Sequence, residues 1–180
     1  MEKPQWYESW FDTSYYHILY KNRDYAEAER FIGNLVKYLQ LPANSKVLDL
    51  ACGKGRHSVT LNSYGYNVLG VDLSFQSIKA AKQFEKEQLR FATHDMREVI
   101  DGEQFDGVFN LFTSFGYFDS EIDNLKVLQS IHKMLSSKGV LVIDFMNAAR
   151  EIAHLKPSET KTIDGITFQL TKKLDQQHIY

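Results

Sequence analysis

Val47-Leu48-Asp49-Leu50-Ala51-Cys52-Gly53-Lys54-Gly55-Arg56-His57-Ser58 is the stretch that decides the fold. Its first four residues form an apolar run interrupted by one acid, as in a strand buried on both faces. Ala51 to Gly55 are mostly small, and the two glycines let the backbone turn sharply and approach a ligand closely. A helical segment follows, so the stretch reads as strand, glycine turn and helix, with N-terminal amides aimed at the turn.

Working outward, the same unit repeats toward the C-terminus. The helix after Arg56 should stop before Gly65, a plausible C′ residue. Asn67 to Val71 reads as a second strand with Asp72 at its end, and Ser74 as the N-cap of a helix carrying Phe75, Ile78 and Ala81. Leu89 to Thr93 is a third strand, again followed by an acid, Asp95. Phe105 to Leu111 is a fourth. A helix with Leu125, Leu128, Ile131 and Leu135 on its apolar face leads through Gly139 to a fifth, Val140 to Phe145. Toward the N-terminus, Ala28, Phe31, Ile32, Leu35, Val36 and Leu39 share one helical face, and Pro42 ends that helix. Ahead of it lies an aromatic segment: Trp6, Tyr7, Trp10, Phe11, Tyr15, Tyr16 and Tyr20.

Strands alternating with helices imply an α/β, three-layer sandwich around a mostly parallel, doubly wound sheet. Its ligand belongs at the carboxyl ends of the strands, where the strand order reverses. Functional residues should therefore fall at Asp49 to Arg56, Asp72, Asp95, Asn110 to Tyr117 and Asp144 to Asn147. Past Asn147 the pattern breaks. Ile166 to Leu174 alternates like an antiparallel strand, Asp175-Gln176-Gln177 could turn, and His178-Ile179-Tyr180 would begin its partner. A strand opened and not completed suggests a fragment of a longer protein.

The glycine turn alone does not choose a nucleotide. A dinucleotide site needs G-x-G-x-x-G, and no window supplies it: Gly53-x-Gly55 is followed by Ser58, and Ala51-x-Gly53 by Arg56. Asp49 would repel a pyrophosphate but suits a ligand that carries an ammonium and a sulfonium. Asp72, ending the second strand, can accept both hydroxyls of an adenosine ribose.

The segments VLDLACGKGRHS, GVDLS, THDMRE, FDGVFNLFTSFGYF and GVLVIDFMN, in that order and spacing, resemble the successive motifs of the class I (Rossmann-like) S-adenosylmethionine-dependent methyltransferases. The resemblance covers roughly residues 31–147. It implies S-adenosyl-L-methionine as cofactor and S-adenosyl-L-homocysteine as product. Asp49, Ala51, Cys52, Gly53 and Gly55 would lie around the methionine portion, Asp72 on the ribose and Leu73 beside the adenine. Asp95 and Met96 would read the adenine edge through carboxylate and amide, and Asn110 and Leu111 would lie near the methyl group. Ala51 stands where the pattern often has glycine. The resemblance further implies a single methyltransferase domain over 1–180, divided into an N-terminal helical cap (1–44), a cofactor-binding core (45–147) and the start of an antiparallel lid or hairpin (148–180).

Duller roles compete for several of these residues. Asp72 and Asp95 could be turn acids, Cys52 a small loop filler rather than a nucleophile, and His57 a first-turn residue rather than a base. Tyr16 and Tyr20 could pack the N-terminal helices or close over the cofactor. No catalytic base is evident; Asn110, Tyr117 and Asp144 are the acceptor-side candidates, with Asn147 beside them. Among 180 residues with a net charge of −2, nothing calls for a nucleic-acid partner. One cysteine excludes a disulfide framework, no metal site is expected, and no apolar run approaches the ~20 residues of a membrane span. A cytoplasmic domain acting on a small-molecule acceptor is expected, with a homodimer left open. The alternatives are a catalytically silent S-adenosylmethionine-binding domain and an NAD-dependent oxidoreductase.

Overall fold

The structure, a computed structural model, describes residue 7, residues 10–11, 13–21 and 25–175. Two N-terminal helices, α1 (Ser14–Leu19) and α2 (Tyr25–Leu39), precede β1 (Lys46–Leu50), α3 (Arg56–Ser63), β2 (Asn67–Asp72), α4 (Phe75–Ala81), β3 (Leu89–Thr93) and β4 (Phe105–Asn110). Then come α5 (Glu121–Met134), β5 (Leu135–Ile143), α6 (Ala148–Ala153), β6 (Ser158–Ile163) and β7 (Ile166–Thr171). The first five strands form one sheet in the order β3-β2-β1-β4-β5, and every pairing in it is parallel. Helices cover both faces, as the α/β reading expected.

The period of two along each strand sorts the core. Val47, Val68, Phe91 and Phe109 face one side, against Ile32 of α2, Leu61 of α3 and Ile78 of α4. Leu48, Leu50, Leu69 and Val71 face the other, against Val127, Ile131 and Met134 of α5. Local signals set the boundaries. Gln40 takes a left-handed φ of 51° just past α2, ahead of Pro42. Gly65 does the same after α3 at 88°, and the Ser74 hydroxyl accepts from the Ser77 amide at 2.9 Å to start α4.

Three expectations need correction. The strand expected at Val140 to Phe145 runs from Leu135 to Ile143. Leu135 is already extended and pairs with Phe105, and the register then shifts before Gly107 meets Val140. The face expected for α5 holds only at Ile131: Leu125 is 52% exposed and Leu135 begins β5, while Val127, Ser130 and Met134 are buried beside Ile131. Apolar residues at three-residue spacing occur on two sides of this helix, so the periodicity did not single out the packed one. Finally, the antiparallel strand expected at Ile166 to Leu174 ends at Thr171 and has a partner upstream that was not expected. Ser158–Ile163 pairs with it around Asp164-Gly165, whose φ values of 51° and 77° are those of a tight hairpin turn. The strand expected at His178–Tyr180 and the aromatic Trp6 lie outside the described residues.

Candidate functional site

A cavity of about 710 Å³ opens at the carboxyl ends of the strands, beside the point where the order passes from β1 to β4. The loop after β1 forms its floor. Ala51 and Gly53 both take left-handed φ values, 66° and 56°. A Cβ built on Gly53 would meet nothing within 4 Å, so that turn faces open space. Gly55 is glycine for another reason: at φ +83° its Cβ would stand 2.6 Å from the Phe91 ring, and a Cβ on Gly70 would meet the same ring at 2.6 Å. Phe91 thus fits between two bare backbones, which brings the start of α3 down onto the sheet.

The loop is tied to the end of β2. The Cys52 amide donates to the Val71 carbonyl at 2.9 Å, and the Gly53 amide to Asp72 Oδ2 at 2.8 Å. Asp72 Oδ1 accepts from the Ser74 amide at 2.8 Å, and Asp72 and Leu73 both line the cavity. Asp49 does not line it. Its carboxylate is buried beneath the loop and accepts from the Ser58 hydroxyl at 2.5 Å. Burial, aided by the nearby Asp72 charge, pushes the Asp49 carboxyl up to about 6 against the Ser58 hydrogen bond.

Asp95 and Met96 line the opposite side of the cavity. Burial would raise the Asp95 carboxyl, but the Arg97 hydrogen bonds and charge outweigh it and hold the group below its ordinary range. Arg97 donates from its amide to Asp95 Oδ1 at 2.9 Å and from Nη2 to Oδ2 at 2.6 Å.

Beyond β4 the structure separates the expected acceptor-side residues. Asn110 is fully buried; its Nδ2 donates to the Leu50 carbonyl at 3.0 Å, and its Oδ1 has no hydrogen-bond partner among the described residues. Asp144 accepts from the Phe112 amide at 2.9 Å, fixing a loop in which Phe112 and Thr113 both have positive φ, 60° and 56°. Neither Asn110 nor Asp144 lines the cavity, and Asn147 caps α6 by accepting from the Arg150 amide at 3.1 Å. Leu111, Phe112 and Tyr117 do line it.

The N-terminal aromatics form the roof. Phe11 meets Tyr16 and Tyr117 edge-on, with ring centroids 5.0 and 5.4 Å apart, and Tyr20 meets Phe112 at 5.9 Å. Burial, with Tyr117, Tyr20 and Asp72 close by, raises the Tyr16 hydroxyl to about 12. Arg56 at the start of α3 donates to Glu27 of α2 at 2.6 Å, and its guanidinium carbon lies 5.8 Å from the centre of the Phe112 ring. Burial and the Arg56 charge lower His57 to about 4, and Arg56 Nη2 stands 3.2 Å from its Nε2, leaving that nitrogen to accept. Burial pushes the Cys52 thiol well above its ordinary range.

Of the residues singled out from sequence, Ala51, Cys52, Gly53, Asp72, Leu73, Asp95, Met96, Leu111, Tyr16, Tyr20 and Tyr117 converge on one cavity. Asp49, Gly55, Asn110 and Asp144 lie behind it. Phe112 falls within the expected Asn110 to Tyr117 stretch, but sequence reasoning missed Tyr7, Phe11 and His94 as lining residues, and Arg97 behind them. The aromatic density of the N-terminus was a signal for the first two; Arg97 gave none beyond its place after Asp95-Met96. Among the described residues, no group of acids, histidines and cysteine is placed to hold a metal, and no helix is long and apolar enough to cross a membrane.

Comparison with known proteins identifies this architecture. Residues 41–180 match the methyltransferase domain family model. The chain is 33% identical over 147 residues to a glycine/sarcosine N-methyltransferase of Aphanothece halophytica, a match covering 78% of this chain and 52% of that protein. It is 29% identical over 134 residues to the dTDP-3-amino-3,4,6-trideoxy-alpha-D-glucopyranose N,N-dimethyltransferase of Streptomyces venezuelae, covering 72% of this chain and 54% of that protein. The crystal structure of an S-adenosylmethionine-dependent methyltransferase from Clostridium acetobutylicum shares the fold at a TM-score of 0.72 and 21% identity, over 92% of this chain and 68% of that one. The chain spans about half the length of the curated relatives it matches. The order of its strands, the acids closing β1, β2 and β3 and the family match agree: the chain belongs to the class I S-adenosylmethionine-dependent methyltransferases.

Proposed function

We propose that this chain binds S-adenosyl-L-methionine in the cavity above β1 and β2 and forms the donor half of an enzyme that methylates a small-molecule amine. The observation that carries the proposal is the Gly53–Asp72 pairing, which holds a carboxylate at the mouth of an open glycine turn. Asp72 would accept the ribose hydroxyls, with Leu73 against the adenine, Asp95 and Met96 at the adenine edge and Ala51 to Gly53 along the methionine portion. Asp49 would act from beneath through its charge, favouring a cationic ligand, whereas a pyrophosphate there would face two acids. No relative supports the oxidoreductase alternative.

When bound, the cofactor supplies a methyl group activated by its positive sulfur. The chain's part is to hold donor and acceptor in line and exclude water. The aromatic roof and the rigid Phe112–Thr113 loop are suited to that. Three polar side chains of the cavity are poor proton acceptors: His57 Nε2 is engaged by Arg56, and the Tyr16 and Tyr117 hydroxyls are raised by burial and stay protonated at neutral pH. An acceptor that brings its own lone pair therefore suits the site better than one that must lose a proton during attack. An amine that has given its proton to solvent meets that condition, and the relatives include N-methyltransferases named for glycine and for an amino sugar.

The test is calorimetry with S-adenosylhomocysteine beside NADH, followed by transfer of labelled methyl to glycine, sarcosine and an amino sugar, each beside its hydroxyl counterpart. Saturable heat with the former and label on nitrogen are expected. Heat with NADH alone sinks the cofactor assignment, and label on the hydroxyl compounds alone sinks the acceptor assignment.

A further inference from the structure

We propose that Arg97 is a specificity-determining positioning residue: it clamps the Asp95 carboxylate so that one acceptor site stays aimed at the 6-amino group of the cofactor's purine. This rests on the cofactor site proposed above. The Arg97 amide donates to Asp95 Oδ1 at 2.9 Å, Nε is shared between Oδ1 and Oδ2 at 3.1 and 3.0 Å, and Nη2 reaches Oδ2 at 2.6 Å. Three N–H groups thus bind a carboxylate that offers about four acceptor positions, leaving one for a ligand. Asp95 lines the cavity whereas Arg97 does not, so the clamp grips from behind.

The guanidinium is itself anchored on two further sides. Its central carbon lies 4.6 Å from the centre of the Phe118 ring, and Nη1 is 3.6 Å from Asp123 Oδ2 near the start of α5. A charged group held by a carboxylate, a ring face and a second carboxylate has little freedom to swing, and neither has the carboxylate it grips. The same hydrogen bonds keep Asp95 ionised and therefore acceptor-only. An ionised carboxylate accepts from an amino group; against the 6-oxo group of a deaminated purine it meets only another acceptor. A buried mismatch of this kind is discriminated far more strongly than a difference in shape.

The experiment compares binding of S-adenosylhomocysteine and S-inosylhomocysteine by calorimetry to the wild-type chain and to Arg97→Met and Arg97→Lys, with thermal unfolding of each protein. The wild type should prefer the adenosyl compound by 10- to 100-fold. Arg97→Met should lower that ratio to within about 3-fold, and Arg97→Lys, which keeps the charge without the fork, should fall between. A merely structural role would weaken both ligands together and leave the ratio unchanged, which overturns the proposal even if the variant is less stable. If Arg97→Met does not fold, an intermediate ratio in Arg97→Lys supports the proposal and a wild-type ratio overturns it. A wild type that binds both ligands equally overturns the Asp95 assignment, and with it this proposal. A wild type that binds neither overturns the cofactor site as a whole.

Discussion

Ala51 shows how one residue records the competition between backbone and site. Its φ of 66° is one that a Cβ resists, which explains why the family pattern often places glycine there. Ala51→Gly should raise stability by about 1 kcal/mol, measured by urea unfolding; an unchanged midpoint would mean that the loop relaxes the strain. Asp49 is costly in another way. Its carboxyl is raised to about 6, so its favourable contribution is complete below the unfolded value near 4 and is lost as pH rises through about 6. Asp49→Asn should therefore be more stable than wild type at pH 7–8, by on the order of 1–3 kcal/mol, with the gap closing toward pH 4. A gap independent of pH would show that Asp49 is not raised. Asp72→Ala should weaken S-adenosylhomocysteine binding by ~1–3 kcal/mol in calorimetry, the loss of hydrogen bonds to a charged group.

Among the elements, α5 marks where sequence periodicity stops being informative. It carries Ile122, Leu125 and Leu128 on one side and Val127, Ile131 and Met134 on another, and only the second set meets the sheet. Ile131→Ala should cost 2–5 kcal/mol and Leu125→Ala less than about 0.5 kcal/mol by denaturant unfolding. Equal losses would contradict the placement of the helix. The β6–β7 hairpin is the reverse case, because a local signal marks it: Asp164-Gly165 is a two-residue turn dipeptide, and it joins Ser158–Ile163, with its β-branched Thr160, Thr162 and Ile163, to the alternating Ile166–Thr171.

Taken as a whole, the molecule holds its ligand cavity between a parallel sheet and an aromatic roof that reaches it from the N-terminus. S-adenosylhomocysteine at 100 times its Kd should stabilise the chain by about 2.7 kcal/mol, visible as a raised Tm, while NADH at the same concentration should leave Tm unchanged. The alternation of strands and helices, the glycine turn and the acids at or near the ends of β1, β2 and β3 were legible from the sequence by itself, because each is a local pattern: a period, a spacing, a turn residue. Only the tertiary structure decided that Asp49, Asn110 and Asp144 stand behind the cavity rather than in it, that Gly55 makes room for Phe91, and that Arg97 grips Asp95. Those outcomes depend on which way side chains point once strands distant in sequence lie about 5 Å apart, and no period or spacing along a single chain encodes that.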